Sequence, residues 1–111
     1  MLDGTWIATS AILGGNSFPA PVLATIRLTL NAGQYTLGND HGTYRTDDRA
    51  FPAAIDVAGS DGPNKGRQIP AIYELTGDTL TICYDLACEA RPKAFQSAAA
   101  SKHFLVTYRR A

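Results

Sequence analysis

The chain has no excess of charge of either sign. Ten Lys and Arg offset ten Asp and Glu over 111 residues. The charges are scattered singly, so no basic stripe exists to neutralise a run of phosphates, and nucleic acid is not an expected partner. Long apolar runs are missing too. The stretch 20–26 is far shorter than the roughly 20 residues a membrane-spanning helix needs, and Pro21 interrupts it. The expectation is a soluble protein with no membrane-spanning segment. The opening Met1-Leu2-Asp3-Gly4 has no basic segment, apolar core and cleavage site in series. The compartment therefore stays open: extracytoplasmic if a leader has been removed, otherwise cytoplasmic.

Histidine and cysteine are scarce, with two of each. A catalytic site needs a nucleophile, a base and a group that orients the base, and the chain supplies few bases. His41 lies among Asn39, Asp40 and Gly42, the setting of a solvated turn. His103 stands alone, without a second ligand at useful spacing for a metal or haem iron. The adjacent Asp47 and Asp48 point to opposite sides of an extended chain and make no acid–base pair. The loop from Asp61 to Gly66 lacks the ligand positions and closing Glu of a calcium loop. No cofactor, metal or catalytic residue is expected. Cys83 and Cys88 flank a candidate turn, so they either meet as a disulfide in an oxidising compartment or remain thiols.

What the chain does contain is β punctuation. Hydrophobic residues make up 45% and charged residues 18%, a composition that folds without a partner, and the length suits a single domain over 1–111. Stretches rich in β-branched and aromatic residues recur, each ended by Gly, Asn, Asp or Pro. Strands are predicted at 5–12, 25–30, 34–38, 43–46, 53–58, 67–75, 79–85 and 103–109. Ile26, Leu28 and Leu30 alternate with Thr25, Arg27 and Thr29, the period of a half-buried strand. Leu80, Ile82 and Tyr84 share one face of the seventh strand, with Thr79, Thr81 and Cys83 on the other. A rim loop is expected at 59–66, a helical turn after Pro21 and a short helix at 94–101. Hairpin-by-hairpin order favours an all-β, eight-stranded antiparallel up-and-down barrel over a sandwich.

Gly4-Thr5-Trp6 is similar to the G-x-W signature of lipocalins. The resemblance implies that Trp6 plugs one barrel end beneath a basic residue of the last strand, and strand phase prefers Arg110 to Arg109 for that role. The wider pattern comprises Leu2-x-Gly4-x-Trp6, the loop ending at Gly66, Ile72-Tyr73-x-Leu75-x-Gly77-Asp78-x-Leu80-x-Ile82-Cys83, Arg91-Pro92-x-x-Phe95 and the basic C-terminus. Together these resemble a family of small bacterial lipocalin-like, calycin-type domains of uncharacterised function. The resemblance implies the barrel but brings no substrate or catalytic residue.

A barrel of this strand number is either filled by side chains or holds one small ligand. The first expectation is therefore a non-enzymatic binding module for a small apolar or mildly polar ligand. Tyr35, Tyr44, Tyr73 and Arg91 are candidate lining residues of its open end. Arg91 has two readings, an anion clamp in the mouth or an anchor for the long connection after the seventh strand. The alternatives are a protein-interaction domain on a packed barrel and a cofactor-free lipocalin-like isomerase or cyclase. The oligomeric state has no signature in the sequence.

Overall fold

The computed structural model describes residues 2–111. The chain forms β1 (Gly4–Leu13), β2 (Asn16–Ser17), α1 (Ala20–Leu23), β3 (Arg27–Asn31), β4 (Gln34–Leu37), β5 (Asp40–Asp47), β6 (Ala53–Asp61), β7 (Gln68–Thr76), β8 (Thr79–Asp85) and β9 (His103–Arg110). Each strand from β3 onward pairs antiparallel with the next, and β1 pairs with both β3 and β9. Eight strands thus close an up-and-down barrel, with the two-residue β2 folded back on the end of β1. Closure leaves no long edge strand unpaired among the described residues.

The alternating apolar residues of the strands fill the interior. Leu28 and Leu30, Ile55 and Val57, Ile69 and Ala71, Leu80, Ile82 and Tyr84, and Val106 and Tyr108 all belong to one buried cluster. The register between β1 and β9 slips between Ala8 and Ser10. This bulge resets the phase, so Trp6 and Ala8 before it and Ala11 after it are all buried.

One barrel end is built around Trp6. The indole is fully buried, donates from Nε1 to the Leu2 carbonyl at 2.9 Å, and carries the Arg110 guanidinium 4.2 Å above its ring. Such a stacked pair contributes about 0.5–2 kcal/mol. Arg110 also donates to the Asp3 carbonyl and pairs with Asp78. A Cβ on Gly4 would stand 2.9 Å from Arg110 Nη1, and φ there is +140°. Glycine is therefore what lets the guanidinium reach the ring.

Several local expectations are corrected. The fourth predicted strand begins at Asp40, so His41 lies in a strand and not a turn. β6 runs on to Asp61, which shortens the rim loop. The helical turn starts at Ala20, one residue before Pro21. No helix forms over 94–101. Serines there bond to the backbone in competition with a helix: Ser97 Oγ donates to His103 O and accepts from Gly15 N, and Ser101 Oγ donates to Ala98 O. Ala100 has a left-handed φ of 65°.

Residues 86–102 instead form a strap along the outer wall. Asp85 starts it, its buried carboxylate accepting from the amides of Ala87, Glu89 and Ala90 at 2.9–3.0 Å. Burial alone would raise the Asp85 pKa, but those three N–H groups, helped by the charge of His103, hold it below the usual range.

Candidate functional site

The lumen is not filled. A cavity of about 170 Å³ runs from Leu30 and Ile55 in the interior to Asp40, Asn64, Arg67 and Leu86 at the end opposite Trp6. Leu28, Leu37, Val57, Ile69 and Ile82 are among its apolar wall residues. Beside it Phe104 packs between Phe18 and Tyr84, with ring centroids 5.6 Å and 5.8 Å away. The Tyr84 and Tyr108 hydroxyls meet at 2.9 Å within the core. Burial above all raises both phenol pKa values.

The polar groups at this mouth form one chain. Asp40, only 5% exposed, accepts from the Tyr35 hydroxyl at 3.2 Å and from the Asn64 side-chain amide at 2.7 Å. Its other oxygen accepts from the Asn64 backbone amide. Asn64 Oδ1 in turn accepts from Arg67, whose second amino group donates to the Leu86 carbonyl and to Cys88 Sγ. Three connections, after β4, β6 and β8, are thereby tied together. Burial, followed by the Asp40 charge and hydrogen bond, pushes Tyr35 up to about 12, so it is a neutral donor at physiological pH. Gly42 is needed here because a Cβ would collide with Ala58 O and the Tyr35 ring.

The four candidate lining residues do not converge. Tyr35 and Tyr44 border the lumen. Tyr73 instead borders a second, open groove of about 640 Å³ at the Trp6 end, which Tyr44 shares. Strand direction explains this, because Tyr73 lies near the end of β7 that pairs with Ala53. Arg91 is on the outer wall and not in the mouth. It donates to the carbonyls of Ile55 and Ala71 and pairs with Asp56 at 2.7 Å, which anchors the strap.

Cys83 and Cys88 are free thiols. Cys83 is fully buried among the outward residues of β8 and donates to Gln96 O in the strap, whereas Cys88 faces Arg67. They do not flank a hairpin, since the partner of β8 begins only at His103. Burial raises the Cys83 pKa. Among the described residues, no group of three or more His, Cys, Asp or Glu side chains could hold a metal, and no helix is long and apolar enough to cross a membrane.

Asp40 and Asn64 went unnoticed in the sequence because they lie in segments that read as turn and loop, and Arg67 because it read only as the first residue of a strand. No local signal reports that residues 24 positions apart meet. Comparison with known proteins adds no identity: no family model, curated protein or solved structure matches the chain.

Proposed function

We propose that the protein is a lipocalin-like binding module whose barrel lumen takes one small, mostly apolar molecule. The supporting observation is the unfilled cavity of about 170 Å³ walled by Leu, Ile and Val. A dry apolar cavity of about 150 Å³ is enough to bind benzene, so the guest is about the size of one or two fused rings. The mouth groups Tyr35, Asp40, Asn64 and Arg67 already satisfy one another. They therefore orient a polar substituent but do not demand one. A packed barrel used only for protein contacts would leave no such space.

The test is a thermal-shift titration with benzene and indole. Ligand that binds only the folded state raises the midpoint in proportion to ln(1 + [L]/Kd). Val57→Phe, which projects a ring into the lumen, abolishes the shift while the protein stays folded. Equal shifts in both proteins would place the guest elsewhere and refute the proposal.

A further inference from the structure

We propose that the groove at the Trp6 end of the barrel is a second binding site, for a small organic ammonium ion carried on an aromatic stem. The groove is a different space from the lumen cavity, although Tyr44 borders both, and the lumen reading does not depend on it. Three carboxylates border it, each from a different segment: Asp3 before β1, Asp48 after β5 and Glu74 on β7. No Lys, Arg or His is among its described lining residues. Asp48 and Glu74 have no ion-pair partner within 4 Å among the described residues. Arg110 donates to the Asp3 carbonyl and Arg49 pairs with Asp47, so the field is partly offset, but Asp48 and Glu74 stay unpaired among the described residues and the groove still attracts a cation.

The second component is aromatic. Tyr44, Phe51, Tyr73 and Phe95 line the same groove, and ring faces attract ammonium groups through their quadrupoles. Phe51 is 101% exposed, so a large apolar ring stands in water at the rim, where a ligand's stem would cover it. Tyr44 donates to Asp3 Oδ1 at 3.2 Å, fixing one carboxylate against one ring. The Tyr73 pKa is raised first by burial and then by the charge of Asp48, which places that carboxylate's field on the ring. Carboxylates favour the cation and rings favour both the cation and its stem, so charge selects an ammonium over a neutral or anionic analogue.

The experiment is an amide NMR titration of the full chain with phenethylammonium, using 2-phenylethanol and phenylacetate as the neutral and anionic analogues. The expected result is saturable shifts centred on Thr46, Ala53, Tyr73 and Glu74. Affinity for the ammonium should be about fivefold above that for the alcohol, the worth of two exposed carboxylates. The double variant Asp48→Asn/Glu74→Gln loses about that factor, and Leu37→Phe, which fills the far end of the lumen away from Tyr44, loses none. Equal affinity for ammonium and alcohol, undiminished binding by the double variant, shifts centred on lumen residues, or no shifts at all would each overturn the proposal.

Discussion

The tyrosine pair beside the lumen offers a sharp test of where water or a guest can reach. Tyr84 and Tyr108 share one hydrogen bond of 2.9 Å, and Tyr108 is fully buried. Tyr84 also borders the cavity, whereas Tyr108 does not line it. Tyr84→Phe removes the Tyr108 hydroxyl's one hydrogen bond among the described residues, which costs about 2 kcal/mol, within the range for an unsatisfied buried donor. Tyr108→Phe leaves Tyr84 bordering a space large enough for water; with a water on its hydroxyl only the net hydrogen bond is lost, about 1 kcal/mol. The double variant strands nothing and costs about 1 kcal/mol, well below the sum of the singles. Guanidinium unfolding followed by Trp6 fluorescence gives all three values, provided the slope with denaturant stays constant. If Tyr108→Phe proves as costly as Tyr84→Phe, or if the two effects add, then Tyr84 has no access to the lumen and the asymmetry argued here is wrong.

Three further outcomes follow from the same structure. Asp85→Ala frees three buried-end amides and costs about 2 kcal/mol; hydrogen exchange should accelerate at Ala87, Glu89 and Ala90 while β8 stays protected, and unchanged exchange there would contradict the anchoring role. Five tyrosines have raised pKa values, Tyr35 to about 12. The fold thus keeps protons that the unfolded chain has lost above about pH 10. Their contribution is intact below that pH and lost as pH rises through the folded values, so alkaline unfolding should coincide with phenolate absorbance, and gradual titration of the folded protein from pH 10 would refute it. Arg110→Met removes the cation above Trp6 and destabilises by about 1 kcal/mol, with a change in Trp6 emission; an unaltered spectrum would mean the stacking does not persist in solution.

Much of the barrel was legible in the sequence because one face of each strand must be apolar. The alternation in 26–30 and 79–85 fixed both the strand type and the inward face, and the G-x-W resemblance directed attention to Trp6 and Arg110. The element limits were less legible. Asp40 and His41 read as turn residues, yet the β5 ladder begins at Asp40, where tertiary bonds to Tyr35 and Asn64 replace solvent. The alanine-rich 94–101 suggested a helix from propensity, which serine side-chain bonds and the outer-wall contacts override. For the site, the tyrosines were identified by type but not by barrel end. A residue's inward phase is local, whereas the end it occupies depends on strand direction and closure. Arg91 illustrates the same limit, since its bonds to Ile55 and Ala71 join it to strands that lie 36 and 20 positions away in the sequence.

The central claim, a lumen that accepts one small apolar guest, is tested most directly by a crystal soaked in bromobenzene and examined for anomalous bromine density. The account predicts one peak inside the barrel, among Ile55, Ile82 and Phe104, with Tyr35 and Asp40 still bonded at the mouth. A lumen closed by side chains, or occupied by ordered water with bromine found only outside the barrel, would contradict it.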